Sequence, residues 1–290
     1  MKRLRRTMIF MPGNNPGMLQ SADILGADSI ILDLEDAVSL TEKDSARILV
    51  RESIKNIGYK DVEVVVRINP LDTEYAMEDI DTIARVKPDT ILVPKATEEA
   101  ISKTDAELTR IEKEEGFDEG SIKLIGLVES AYGVENVYNI IKASNRMEGI
   151  LLGGEDLTSD MGVKRTKEGN EIFYARNKVA TACKALRVDS IDTPFTDTND
   201  FEGLEKDTKK AKSLGFTGKA SINPRQIDTI HSVYSPTEAE IKHAKRVMSA
   251  MEEAKKEGKG VFSLDGKMVD APIINRAKTT LELAEILGLI

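Results

Sequence analysis

The sequence predicts a closed parallel (β/α)8 barrel, on three observations. Eight short apolar runs are each followed by a stretch with helical character. Each run ends in or beside polar or charged residues, the position where such barrels carry their active sites. The length of 290 residues accommodates a barrel of roughly 250 residues with a tail.

In chain order the predicted strands are Met8–Met11, Ser29–Leu34, Val62–Ile68, Thr90–Val93, Leu124–Val128, Ile150–Leu152, Ser190–Phe195 and Ala220–Ile222. Between the second and third, Ser39 with Glu42 and Thr41 with Asp44 each offer a capping box. Ala46, Leu49, Val50, Ile54 and Ile57 then share one helical face. Residues 97–115 are charged and helical, as an outer-ring helix should be. The barrel is expected over residues 1–230. A C-terminal extension over 231–290 follows, which barrel closure does not need. It opens on a helix with Ser235 as N-cap, Pro236 at its first position and Glu238 at its third. Ile241, Ala244, Val247, Met248 and Met251 form its apolar stripe, and it ends at Lys255–Gly258 and Gly260. A hairpin turning at Asp265-Gly266 and a last helix from Ile273 to Leu287 complete the chain.

A net charge of −9 argues against nucleic acid or an anionic membrane as partner. The basic start before Met8–Met11 is cut short by Pro12 and Gly13, so it reads as a first strand and not as a signal peptide. No run is long enough to span a bilayer. The single cysteine suits a reducing cytosol, and Cys183 lies on a stripe with Ile172, Val179 and Leu186 that marks it as a packing residue. A cytoplasmic location is therefore expected.

The strand ends carry Asp33, Glu35, Asp36, Arg67, Lys95, Glu129, Asp156 and Lys219. Glu129 and Asp156 follow adjacent, fully apolar runs, so both carboxylates should stand over the barrel mouth. Two oxygen ligands suit Mg2+, and no His or Cys at a strand end points to Zn2+. The alternative is a pair of exposed caps for the next helices. Arg67 can clamp a carboxylate or enolate oxygen, or pair with the acids after strand two; both can hold at once. A Schiff-base role for Lys95 is disfavoured, because neighbouring acids raise a lysine pKa. Gly153-Gly154 lets a ligand or backbone approach closely. Asn14, Asn15 and Gly17 form a loop fit for a phosphate or for a plain turn.

The motifs FMPGNNPGM, DSIILDLEDAVSLTEKDSAR, VVVRINPLDT, VPKA, VESAYGV, FYAR, GFTGKASINPRQI and GKMVDAPII resemble the family of citrate lyase β subunits. That family lies within the wider group of Mg2+-dependent malyl-CoA and citramalyl-CoA lyases and HpcH/HpaI aldolases. The resemblance runs from the first strand to the last helix. It implies a TIM barrel of the phosphoenolpyruvate-binding type, with a C-terminal lid, that cleaves a citryl thioester, on an acyl-carrier protein or CoA, to oxaloacetate and an acetyl thioester. It implies Mg2+ on Glu129 and Asp156, substrate contacts at Arg67, Glu129, Lys95, Gly154 and Asn14, and catalytic roles for Arg67, Glu35 and Asp36. It also implies that Asp270 reaches a neighbouring subunit's site as proton carrier, in a homo-oligomer partnered by acyl-carrier (γ) and transferase (α) subunits. The alternatives are a free-standing malyl-CoA or citramalyl-CoA lyase and a non-catalytic scaffold barrel. The metal motif here is GGEDLTSDMG, where family members often carry other residues at Gly154 and Glu155. Members of the wider group often carry Arg where this chain has Gly17.

Overall fold

The computed structural model describes residues 3–256 and 261–290. Eight parallel strands close into a barrel in sequential order, β1 through β8. They are β1 (Thr7–Pro12), β2 (Ser29–Asp33), β3 (Glu63–Arg67), β4 (Thr90–Val93), β5 (Lys123–Val128), β6 (Met147–Leu152), β7 (Asp189–Asp192) and β8 (Gly218–Ser221). β1 closes on β8 through the pairs Thr7–Lys219 and Met8–Ala220. The helices are α1 (Pro16–Gln20), α2 (Lys43–Ile57), α3 (Ala76–Ala84), α4 (Glu98–Glu115), α5 (Ala131–Lys142), α6 (Gly154–Asp160), α7 (Phe173–Leu186), α8 (Phe201–Leu214) and α9 (Ile227–Tyr234). The chain divides into two compact units, one ending at His231 and the other spanning Ser232–Ile290.

The period of two along each strand sorts its side chains between two cores. Met8, Ile31, Val65, Leu92, Ile125, Leu127, Leu151, Ile191 and Ala220 fill the barrel interior, at least one from every strand. The alternate positions, such as Ile9, Ile30, Val66, Ile91 and Leu152, pack outward against the helices. The interior floor is ionic. Arg5 lies against Glu63 (2.7 Å), Asp189 (3.0 Å) and Glu148, while the hydroxyls of Ser29 and Thr90 donate to Glu63 at 2.7 and 2.8 Å.

Several expectations need correction. Strand seven stops at Asp192, before Thr193-Pro194-Phe195, and strand eight starts at Gly218 and stops at Ser221. Neither capping box before α2 forms. Leu40–Glu42 is a 3-10 turn, and the Glu42 carboxylate is drawn off by Asn14 Nδ2 (2.7 Å) and Ser39 Oγ (3.1 Å). Lys219 does not stand at the mouth. Its neighbour Ala220 faces the interior, so Lys219 faces the helices. There its ammonium donates to Asp192 (2.6 Å), Asp207 (2.7 Å) and the Thr193 carbonyl (2.7 Å). Arg176 completes this cluster, bonding Asp192 and Asp207 at 2.8 Å. Cys183 is buried as expected, and burial pushes its thiol up to about 12.

In the second unit, α10 (Glu238–Lys256), the antiparallel pair β9 (Phe262–Leu264) and β10 (Lys267–Val269), and α11 (Ala271–Ile286) share a small core of Ala244, Val247, Val269 and Ala277. The capping box sits two residues later than expected. Thr237 N–H donates to Glu240 (2.7 Å), and Glu240 N–H donates to Thr237 Oγ1 (3.2 Å). The anticipated helix end at Gly258 and Gly260 falls outside the described residues. Asp265 and Gly266 turn the hairpin with φ of 52° and 73°, the left-handed pair that a type I′ turn requires.

The Arg176–Asp192–Asp207–Lys219 cluster balances two cations against two acids away from water. Lys219→Met leaves an uncompensated buried carboxylate and should cost about 3–5 kcal/mol. Urea unfolding measures this; a loss below about 1 kcal/mol would show that the cluster relaxes or takes up a proton at no cost.

Candidate active site

At the C-terminal ends of the strands the inward positions become polar. Asp33 follows Ile31, Arg67 follows Val65, and Glu129 follows Leu127, each two residues on. Together with Phe10, Leu151, Gly153, Asp156, Thr193 and Ile222, they line a cavity of about 370 Å³. The lining is apolar at Phe10, Leu127, Leu151, Pro194 and Ile222 and charged at Asp33, Asp36, Arg67, Glu129, Glu155 and Asp156.

Arg67 is the cation of this lining. Its Nε and Nη2 both donate to Asp33 at 2.6 Å, and its Nη1 donates to Asp36 at 3.2 Å. Glu35 lies 2.8 Å from the same Nη1, but this oxygen has no aligned hydrogen bond. The guanidinium stacks 5.0 Å from the Phe10 ring. Burial opposes the charge, yet Asp33, Glu35 and Asp36 hold the Arg67 pKa above its ordinary value. The pairing with the acids after strand two is therefore present, and the fork faces Asp33. By donor count two N–H hydrogens, one on each Nη, are left unbonded.

Glu129 is buried. Its Oε1 accepts from the Lys95 N–H at 2.7 Å. Lys95 has φ 45°, so a left-handed backbone aims that amide at the carboxylate. Gly153 packs on the other side: a Cβ there would lie 2.6 Å from Glu129 Cβ and 2.9 Å from Oε2. Desolvation first, then the charges of Glu35 and Asp156, push the Glu129 carboxyl up to about 8, against the bond from Lys95. Burial likewise raises Glu35 to about 7, with Asp36 and Asp33 adding to the shift and Arg67 opposing it. The carboxylates at this mouth outnumber the cations. Asp156, in the first turn of α6, is exposed and lines the cavity.

A divalent cation fits these residues. It would offset the burial and the like charges that raise Glu129, and Glu129 and Asp156 offer it oxygen ligands with room for water and substrate oxygens. Among the described residues no three His, Cys, Asp or Glu side chains cluster as a ready-made metal cage.

The other expected residues are placed differently. The Lys95 side chain is exposed and lines a neighbouring groove with Pro70, Thr97 and Lys103. Asn14 is tied to Glu42 and is not part of the cavity wall. Gly154, by contrast, does line the cavity; it is buried there, with its N–H given to Thr193. Asp270 belongs to the second unit, where it caps α11 by accepting from Ile273 N–H. Sequence reasoning missed Lys43 and Asn69. The buried Lys43 ammonium donates to the carbonyls of Leu34 (2.8 Å) and Glu35 (2.6 Å), and Asn69 Nδ2 donates to Leu34 O (3.0 Å), so they fasten the acidic loop from below. The RINP motif contained Asn69, but its partner lies 35 residues away.

A barrel with a carboxylate-rich mouth and one embedded arginine places the chain among the α/β-barrel enzymes. Residues 6–224 match the HpcH/HpaI aldolase/citrate lyase family, and the chain belongs to it. It is 48% identical over 284 residues to citrate lyase subunit beta of Leuconostoc mesenteroides subsp. cremoris, covering 98% of this chain and 94% of that one. It is 30% identical to the mitochondrial citramalyl-CoA lyase of Homo sapiens, covering 97% and 85%. Protein CitE of Mycobacterium tuberculosis, crystallised with magnesium, acetoacetate and coenzyme A, superimposes with a TM-score of 0.81 at 26% identity over 98% of this chain and 100% of that one. A citrate lyase beta subunit from M. tuberculosis, complexed with oxaloacetate and magnesium, gives 0.68 at 26% identity over 80% and 98%.

The raised carboxyls have a sign that can be checked. Glu35 and Glu129 hold protons more tightly folded than unfolded, so metal-free stability falls as pH rises from about 4.5 toward about 8. By urea unfolding in EDTA, the wild type should lose at least about 1 kcal/mol relative to Glu129→Gln between about pH 5 and pH 8.5. A difference that stays flat or grows in favour of the wild type would mean that Glu129 ionises unhindered.

Proposed function

We propose that this chain is a citrate lyase β subunit, a Mg2+-dependent lyase that cleaves a citryl thioester to oxaloacetate and an acetyl thioester. The observation that carries the reading is the convergence of Glu129 and Asp156 beside Arg67 at a barrel mouth with surplus negative charge. The likeness to a citrate lyase subunit beta over nearly the whole chain supports it, as does the structural neighbour complexed with oxaloacetate and magnesium.

Glu129 and Asp156 would hold the metal. When bound, Mg2+ supplies a Lewis acid for the substrate's hydroxyl and carboxylate oxygens. The Lys95 amide keeps Glu129 oriented for that task, and Gly153 leaves it room. Arg67, kept cationic by Asp33, Glu35 and Asp36, stabilises the negative charge that the departing acetyl thioester takes up as an enolate. The apolar lining residues Phe10, Leu127, Leu151, Pro194 and Ile222 limit the water around that charge. A base takes the substrate's hydroxyl proton as the carbon–carbon bond breaks and the ketone forms, and Asp270 of a neighbouring subunit, carried on the hairpin arm of a C-terminal lid, donates a proton to the enolate carbon. The partners on this reading are a second copy of the chain, an acyl-carrier (γ) subunit bearing the thioester and a transferase (α) subunit that loads citrate. The location is the cytoplasm. No described helix is long and apolar enough to cross a membrane.

The likeness to citramalyl-CoA lyase supports a second reading, a free-standing lyase acting on a CoA thioester. Purified protein with Mg2+ and citryl-CoA, citramalyl-CoA or malyl-CoA separates the two: oxaloacetate from citryl-CoA is expected. Pyruvate or glyoxylate as the main product would favour the second reading. No keto acid from any substrate, with or without the carrier subunit, would leave a scaffold.

Glu129→Ala and Asp270→Asn should each abolish turnover, and a mixture of the two should regain some, because mixed oligomers contain sites with one intact copy of each residue. Subunit exchange without recovery would mean that Asp270 serves its own chain or only caps α11. Arg67→Lys keeps the charge but loses the fork to Asp33, and kcat should fall on the order of tenfold to a thousandfold; near-normal kinetics would reduce Arg67 to a counter-ion.

A further inference from the structure

The two carboxylates assigned to the metal are held in different ways. Glu129 is fastened directly, by the Lys95 amide and by packing on Gly153. Asp156 accepts no hydrogen bond and joins no ion pair among the described residues; its position is whatever α6 gives it. That helix has only seven residues, and its N-cap, Gly153, has no side chain to cap it. Something outside the helix must set where its first turn stands.

The buried Leu157 and the Gly153 N–H, bonded to Val128 O at 2.9 Å, anchor it in part, and two side-chain hydrogen bonds tether it to neighbouring segments, one at each end. At the start, the fully buried Thr193 accepts the Gly154 N–H on its hydroxyl at 3.0 Å. The approach is close enough that a Cβ on residue 154 would lie 2.8 Å from the same oxygen. Thr193 is itself immobilised, since its carbonyl takes a 2.7 Å bond from Lys219 and it follows Asp192 of the buried ion cluster. At the end of the helix, Asp160 accepts the Ala131 N–H at 2.8 Å, two residues beyond Glu129. The first bond ties α6 to the end of β7, and the second ties it to the segment that carries the other carboxylate.

We propose that Thr193 and Asp160 are positioning residues that clamp α6 and thereby set the distance between Asp156 and Glu129 at which a divalent cation is bound. Neither is a ligand. They act through α6, as outer partners of metal ligands do, and losing such a partner weakens metal binding roughly 10- to 100-fold. The inference rests on the assignment of the metal to Glu129 and Asp156.

Calorimetric titration of the full chain with Mg2+ tests it. Thr193→Val keeps the shape and removes the acceptor; Thr193→Ser keeps the acceptor. Asp160→Ala and Asp160→Asn form the matching pair at the other end. Thr193→Val and Asp160→Ala should each raise the Mg2+ dissociation constant about tenfold or more, with Ser and Asn within about threefold of wild type. A purely structural role would lower the melting temperature of the metal-free protein and leave the Mg2+ affinity alone. Wild-type affinity, within about twofold, in both Thr193→Val and Asp160→Ala would overturn the clamp while the metal site stands. Should Thr193→Val fail to fold, the exposed Asp160 decides by the same criterion. A wild type that binds no Mg2+, like an Asp156→Ala control, would remove the metal assignment and the clamp with it.

Discussion

The bidentate pair between Arg67 and Asp33 is the contact on which the mouth of this barrel depends. It joins adjacent strands at their last inward positions, where two charges meet low-dielectric walls. Asp33 also accepts the backbone amides of Glu35 and Ala37, at 2.9 and 3.2 Å, so the same carboxylate shapes the acidic loop. Lys43 and Asn69 hold that loop from beneath through its carbonyls. With Asp33 neutralised in this way, the remaining acids are left in excess, and the excess makes the site receptive to a cation.

Charge is distributed through the barrel in layers. The floor is an ionic plug around Arg5 and Glu63, the middle is apolar, and the rim is acidic around one arginine. Inward residues two apart on one strand span all three, as Glu63, Val65 and Arg67 do on β3. A separate balanced cluster, Arg176, Asp192, Asp207 and Lys219, lies outside the strands and stiffens the β7–β8 side. Both clusters pair their charges internally, although the buried Arg176 Nη1 has no hydrogen-bond partner. The rim does not, and this contrast separates groups that hold the fold from groups poised for a ligand.

Much of this was legible in the sequence, for identifiable reasons. Buried parallel strands must be apolar, so eight runs announced eight strands, and Glu129 stood out as the first charge after an uninterrupted one. Lys219 was misplaced because a single residue of register decides between the barrel mouth and the helix layer, and the short run around Ala220 does not reveal which side faces in. The capping boxes slipped because the carboxylates of Glu42 and Glu240 found partners set by tertiary structure and by the true helix start. Thr193, Asp160 and Lys43 left no trace, since each acts through a bond to a backbone group whose position in space only the closed barrel defines.

The left-handed turn at Lys95 carries a consequence for how this site can drift over generations. The atom that steadies Glu129 belongs to the main chain and therefore cannot be lost by changing the side chain. What must be inherited at this position is a conformation, not a functional group. Lysine can give way to glycine or asparagine with the amide still in place, whereas valine or isoleucine, poorly tolerated at positive φ, would turn the amide away. The ammonium is thereby freed from the support of Glu129, and its chemistry can vary independently of the carboxylate beside it.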